Sequence, residues 1–397
     1  MPRKREMGRS ANGTGSIRKI STTRNGKQYS YWQARYTAGY DPASGKQIQR
    51  SITGKTQKEV AQKLKEVSFQ IDQGTYIPPT KMTVSEWFAI WLKEYLGGVK
   101  KSTAYLYETN VTLYINPVLG EVRLDALKPH TVQSFYNRLQ NEKHLSPKTI
   151  KNIHGVVHKG LQQAVLNGYL RTNPSDACVL PKIAKAELHP LDEAAAPRFI
   201  HEISGHQYEY LYKIALFTGL REGEVLGLSW DDLDLSTGVL FVKRQLRRDQ
   251  RKGGGFYFSS PKNGKPRQLT LAPSVVKLFR LQKLRQNALR KTAGELWLDR
   301  NLVFTNAVGD YLSYRTIYDC FKRIVKRIGC PDTRFHDLRH SYAIAAIKGG
   351  DDIKTVQENL GHATAAFTLD VYGHVTAQMR QESANRMEQF IQNISAG

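Results

Sequence analysis

The chain has 397 residues, 40% of them apolar, enough for two or three domains with cores of ordinary size. Its 59 lysines and arginines face 35 acids, and the resulting charge of +24 is spread along the whole length. The expected partner is therefore a polyanion, nucleic acid before an anionic membrane. The basic start "MPRKREMGRS" lacks the apolar region of a signal peptide, no apolar run is long enough to span a bilayer, and no lipidation motif is present, so no membrane contact is expected. Three cysteines, Cys178, Cys320 and Cys330, without C-x-x-C spacing fit a reducing cytoplasm and no disulfide framework.

Residues 1–14 read as a basic disordered arm. Over 15–75, three strand-like runs, "GSIRKIS", "KQYSYWQARYTAGY" and "KQIQRSIT", are separated by the turn signals "RNG" and "DPASG". Thr56 and Glu59 have capping-box spacing, and Val60, Leu64, Val67 and Ile71 follow at helical spacing. The expectation is a small α+β domain: a three-stranded antiparallel sheet with one helix on its back. The strands carry Arg18, Lys19, Arg35, Lys46 and Arg50, a charge suited to a DNA groove, with an ordinary solvated sheet as the competing reading.

The linker "GTYIPPTK" leads into an all-helical domain over 82–175. Val84, Trp87, Phe88, Trp91, Leu92 and Tyr95 form one apolar stripe, with further stripes around Val132 and Ile150. Ser102 and Ser146 stand where N-caps would begin two of the helices. Lys100, Lys101, Lys148 and Lys151 give this domain a basic exterior. A second linker, 176–190, precedes a mostly helical domain over 191–378 that includes a small antiparallel sheet. A tail over 379–397 places Met387, Phe390, Ile391 and Ile394 on one stripe.

Four clusters in the last domain carry chemistry. In "FTGLREGEVLGL", Arg221 lies among apolar residues and needs a partner, either Glu224 or an anion. In "SSPKNGKPRQLTL", Asn263–Gly264 makes a tight hairpin turn flanked by Lys262 and Lys265. In "TRFHDLRHSYAIAAI", His336, Arg339 and His340 share one helix face. The two histidines have zinc-hydrolase spacing, but Asp337 replaces the glutamate of that motif and Arg339 repels a cation. In "LGHATAAFTLDVYGH", Gly361 ends a helix, His362 follows, and Tyr372 comes ten residues later with His374 beyond it. Together the clusters supply what metal-free phosphodiester cleavage needs. Arginines stabilise phosphate oxygens, histidines and a lysine move protons, and a tyrosine attacks.

These boxes, in this order, resemble the tyrosine recombinases, or phage-type integrases, and above all those of conjugative transposons and integrative conjugative elements of Gram-positive bacteria. The resemblance covers nearly the whole chain: 15–75 is similar to an arm-type DNA-binding domain, 82–175 to a SAM-like core-binding domain, and 191–378 to the catalytic domain. It implies Arg221 and Arg339 on the scissile phosphate, His336 and His362 completing the cradle, and Tyr372 as nucleophile. Lys262 is implied as general acid, with Lys265 on the same hairpin as its alternative. Glu224 supports Arg221, and His340 is a structural neighbour. The implied reaction passes through a 3′-phosphotyrosyl bond without metal, cofactor or ATP. The implied partners are double-stranded DNA at core and arm-type attachment sites, a homo-tetramer, an accessory excision factor and a host DNA-bending protein. The implied location is the bacterial cytoplasm at the nucleoid. A type IB topoisomerase shares the chemistry, and a non-catalytic DNA-binding regulator is the alternative from another class.

Overall fold

The computed structural model describes residues 16–24, 27–41, 43–184, 187–251, 253–362, 364 and 376–395. The chain divides into two compact units, Met1–Ala184 and Lys185–Gly397.

The first unit opens with a three-stranded antiparallel sheet, β1 (Ser16–Arg24), β2 (Lys27–Tyr40) and β3 (Gln47–Gly54), backed by α1 (Gln57–Asp72). Alternation along the strands sorts the side chains. Ala34 and Tyr36 of β2 pack on Val60 and Leu64 of α1, joined by Ile17, Trp32 and Ile52. Thr56 caps α1 by accepting from the Glu59 N–H, whereas the Glu59 carboxylate takes the Lys55 N–H, so the box is shifted by one residue on that side. The sheet register divides the expected groove cations. Arg18 lies opposite Gln33 and Arg35 opposite Ser16 and Ser51, all on the face away from α1, while Lys19 opposite Trp32 and Arg50 opposite Tyr36 lie on the helix side. Lys46 precedes β3 rather than lying in it.

The helical part follows: α2 (Val84–Glu94), α3 (Lys101–Asn110), α4 (Asn116–Leu119), α5 (Pro129–Asn141) and α6 (Pro147–Leu166). A π-helical turn, Val111–Ile115, joins α3 to α4. Thr83 and Glu86 form a complete capping box on α2, and Ser146 caps α6. Ser102 does not cap: α3 begins one residue earlier, after Lys100, so Ser102 sits inside its first turn. Of the first apolar stripe, Val84, Trp87, Phe88 and Trp91 are buried, while Tyr95 at the helix end is exposed. α2 and α6 meet closely at Gly160. Trp87 Nε1 donates to its carbonyl (2.8 Å), and a β-carbon there would lie 2.4 Å from Phe88. Lys100, Lys101, Lys148 and Lys151 are all exposed, at the N-terminal ends of α3 and α6.

The second unit runs α7 (Ala195–Glu202), α8 (Glu209–Thr218), α9 (Glu222–Leu226), strands β4 (Leu233–Asp234), β5 (Val239–Val242), β6 (Gln245–Arg248), β7 (Phe256–Ser259) and β8 (Arg267–Thr270), then α10 (Pro273–Ala293), α11 (Tyr314–Arg327), α12 (Asp337–Lys348), α13 (Ile353–Leu360) and α14 (Thr376–Ser395). The strands form two sheets rather than the single one expected: β4–β5–β8 and β6–β7. β6–β7 is the hairpin. Residues 260–266, which carry "PKNGK", are a seven-residue excursion between β7 and β8, set against only Lys243 and Arg244 on the other side. A core built on α7, α8, α10 and α11 includes the buried rings Phe199, Tyr212, Phe279 and Phe321. A smaller cluster, Ala343, Ile347, Val356 and Leu360, holds α13 on α12. Met387, Phe390, Ile391 and Ile394 lie on α14 and are exposed.

Candidate active site

α8 ends at Gly219, whose φ of +62° is left-handed and whose α-carbon is crowded: a β-carbon would lie 2.6 Å from Tyr342 and 2.7 Å from Leu360. The chain then extends through Arg221, which precedes α9. The Glu224 carboxylate, with no solvent exposure, accepts from the Arg221 backbone N–H (3.0 Å) and from Arg221 Nη1 (2.8 Å). It also accepts two bonds from Arg267 of β8, Nη1 to Oε1 (3.0 Å) and Nη2 to Oε2 (2.7 Å). Burial alone would raise this carboxyl, but the hydrogen bonds and charge of Arg267, with Arg221, overcome it and hold it at about 2.

The arginines meet again at the C-terminus of α13, where carbonyls lack helical partners and the helix dipole is negative. Arg267 Nε donates to Asn359 O (2.8 Å). Arg339 Nη2 donates to Leu360 O, and its Nη1 to Gly219 O (2.8 Å). Arg221 Nη2 reaches Gly361 O (3.3 Å), which also accepts from Asn263 Nδ2 (2.8 Å). Three consecutive carbonyls are thus held by three arginines. Gly361 itself is left-handed (φ +63°), and its N–H and that of His362 return to Glu358 O and Gln357 O, as the sequence led us to expect of a glycine cap.

His336 precedes α12 with an exposed ring, 5.2 Å from the buried His340 ring in an edge-on arrangement. His362 is half-buried. Burial first, then the charges of Arg339 and Arg221 and the neighbouring histidines, press His362 down to about 3. The same two causes lower His336, whose open ring lets water offset part of the effect, and burial lowers His340. Asp337 is fully buried and bonded to Arg334 through its backbone N–H (2.8 Å), Nε (3.0 Å) and Nη2 (2.8 Å), so it does not face the site as a general base would.

These shifts have a consequence for stability. A histidine near 6.5 in the unfolded chain and lower in the folded one binds more protons when unfolded between those values. The stabilisation is complete above about 6.5 and is lost as pH falls through that window. The melting temperature is expected to drop between pH 7.5 and 5, and to drop less in His362→Gln; equal slopes for the two proteins would contradict this.

Lys262 and Lys265 are both exposed on the excursion, which closes in a turn from Gly264 N–H to Pro261 O (2.9 Å). Asn263, beside Lys262, ties that loop to Gly361. Arg221, Glu224, His336, Arg339, His340 and His362 are therefore brought together, with the Lys262 loop attached. Arg339 is 1% exposed and underlies the site, whereas Arg221 keeps an open edge. Tyr372 and His374 lie outside the described residues, as does the arm 1–14.

Two family models match the chain: the phage integrase family over residues 190–379 and the phage integrase N-terminal SAM-like domain over 83–140. The chain belongs to the phage integrase family. It is a tyrosine-type site-specific recombinase. It is 28% identical to a XerC-like tyrosine recombinase of Caldanaerobacter subterraneus subsp. tengcongensis, over 93% of this chain and 98% of the relative. It is 26% identical to the ICEBs1 integrase of Bacillus subtilis, over 91% and 97%. Among solved structures, the Tn1549 transposon integrase bound to transposon right end DNA matches with a TM-score of 0.66 and 27% identity, over 77% of this chain and all of that one. A lambda integrase tetramer bound to a Holliday junction shares the fold (TM-score 0.56, 17% identity, 85% and 92%).

Among the described residues bonded into this cluster, Arg267 is not one that the sequence singled out. Arg267 stands in a quoted segment, yet its partners Glu224 and Asn359 are 43 and 92 residues away. The available signal was its position two residues before Leu269, on the buried face of β8.

Proposed function

We propose that this recombinase is the integrase of a mobile element, conjugative or phage-borne, cutting and rejoining double-stranded DNA at core and arm-type attachment sites through a 3′-phosphotyrosyl intermediate. The observation that carries the reading is the meeting of Arg221, Arg339, His336 and His362 at the end of α13, where the segment leading to Tyr372 begins. Arg221, through its open edge, binds a non-bridging oxygen of the scissile phosphate. Arg339 contributes its charge from beneath and holds the floor of the site. His336 and His362, neutral at pH 7, hydrogen-bond the phosphate or receive the tyrosine proton. Tyr372 attacks phosphorus, the phosphate–O5′ bond breaks, and a proton passes to the leaving 5′-oxygen. Lys262 donates that proton; the tether at Asn263 favours it over Lys265, which lies beyond the Gly264 turn. Attack by a 5′-hydroxyl of a second duplex reverses the step, so the phosphotyrosine conserves the bond energy without ATP.

The chain is read as an arm-binding domain over 15–75, a core-binding domain over 82–175 and a catalytic domain over 191–378. The sheet enters a groove through its outer face, Arg18 and Arg35, and Lys19 and Arg50 flank it towards the backbone. Lys100, Lys101, Lys148 and Lys151 contact phosphates beside two helix N-termini. Related integrases have been solved on DNA, and lambda integrase as a tetramer on a Holliday junction; the same assembly on DNA is proposed here. An excision factor and a host bending protein complete the proposal, with the nucleoid as the place of action. No described helix is long and apolar enough to cross a membrane. The test is a library of nicked duplexes from the element's ends. An adduct that survives denaturant and maps by proteolysis to the peptide containing Tyr372 supports the reading. An adduct on another residue, or none with any duplex, overturns it.

A further inference from the structure

All three guanidinium nitrogens of Arg267 are engaged. Nε is on Asn359 O, Nη1 and Nη2 are on the two oxygens of Glu224, and the side chain is 9% exposed, so it has little to offer a substrate. Its guanidinium is also packed against the α-carbon of Gly361, where a β-carbon would lie 3.1 Å from Cδ and 3.2 Å from Nη1. Glu224 accepts four hydrogen bonds, two from Arg221 and two from Arg267, which fills its acceptor sites. Arg267 thus joins Arg221 in bonding both to Glu224 and to the end of α13, but unlike Arg221 it does so with all three guanidinium nitrogens.

We propose that Arg267 is a positioning residue for strand cleavage: it shares the Glu224 carboxylate so that Arg221 stays directed at the phosphate, and it fixes the end of α13 from which the Tyr372 segment departs. The inference rests on the reading of the site given above. A buried carboxylate with a single arginine partner would draw that arginine inward or take up a proton. Glu222, two residues away, gives the direction: it is half-buried, its Oε1 has no partner among the described residues, and burial pushes it up to about 7. With both arginines in place Glu224 remains ionised. A lysine at 267 would keep the charge but not the planar fork that reaches Glu224 and Asn359 together.

The experiment compares native protein, Arg267→Lys and Arg267→Ala on a duplex that the native protein traps, recording DNA affinity, single-turnover cleavage against pH, and melting temperature. Arg267→Lys is expected to bind DNA within about twofold of native and to cleave about 100-fold more slowly, the size of effect that misplacement by about an ångström produces. Arg267→Ala is expected to gain an acid limb between pH 5 and 7, with activity falling as pH falls, because Glu224 now protonates there. Native cleavage rates and an unchanged pH profile in both variants would overturn the inference. So would a cleavage loss that only tracks a collapse of the melting temperature in both. If the native protein traps no duplex, the functional reading fails instead, independently of Arg267.

Discussion

Tyr372→Phe is expected to abolish covalent trapping, a loss beyond about 10⁴-fold, while DNA affinity stays within about twofold. A free tyrosine has a pKa of about 10, so well under about 1% is phenolate at neutral pH, and a tyrosine nucleophile needs cationic surroundings or a base. Three described tyrosines of the second unit are committed elsewhere. Tyr212 and Tyr314 are raised by burial, and their hydroxyls donate to the Ile317 and Leu246 carbonyls. Tyr342, packed beside Gly219 and Leu360, is closest to the site, yet burial also raises it and its hydroxyl accepts from Asn359. Tyr342→Phe is the matched control and should trap at close to the native rate. Trapping that survives Tyr372→Phe but not Tyr342→Phe would move the nucleophile.

Arg339→Ala carries the second large effect, and it is double. The arginine is buried and donates to the last carbonyls of two helices, so its removal leaves Gly219 O and Leu360 O short of a partner, at about 1–3 kcal/mol each. A loss of about 2–5 kcal/mol in stability is expected from denaturant melts. Cleavage should fall about 10³-fold or more, equivalent to about 4 kcal/mol of transition-state stabilisation. Arg339→Lys separates the two effects: it keeps the charge but cannot bridge two carbonyls with a planar fork. It should recover part of the stability and remain at least about 100-fold slow, since misplacing the charge is itself costly. A folded Arg339→Lys protein that cleaves at the native rate would leave Arg339 with a structural role alone.

Much of this architecture was legible in the residue order because its signals are local. Turn residues separate the three N-terminal strands, Thr56 and Ser146 stand where caps must stand, and the glycine at 361 announces a left-handed helix end. What escaped was non-local. The strands' five cations suggest a groove-binding sheet, but only the strand register, not their number, decides that Arg18 and Arg35 point away from α1 and that Lys19 and Arg50 do not. Ser102 looked like a cap because its type is right, yet the preceding lysines were already able to begin the turn. The lysine loop looked like a hairpin because Asn-Gly is the commonest hairpin signal; the pairing of β5 with β8 and of β6 with β7 could not be read from that dipeptide. Arg267 escaped for the same reason, since an arginine on a short strand is ordinary until the two elements it joins are folded around it.

The pairing of these strands has a further consequence. The excursion at 260–266 leaves and re-enters the sheet between two ladders that are each complete without it. A residue added to or removed from its tip changes how far its lysines extend and leaves every strand pair on either side in register. Reach and scaffold are therefore separate variables here, joined where Asn263 holds Gly361, and a refitted loop has that bond to keep.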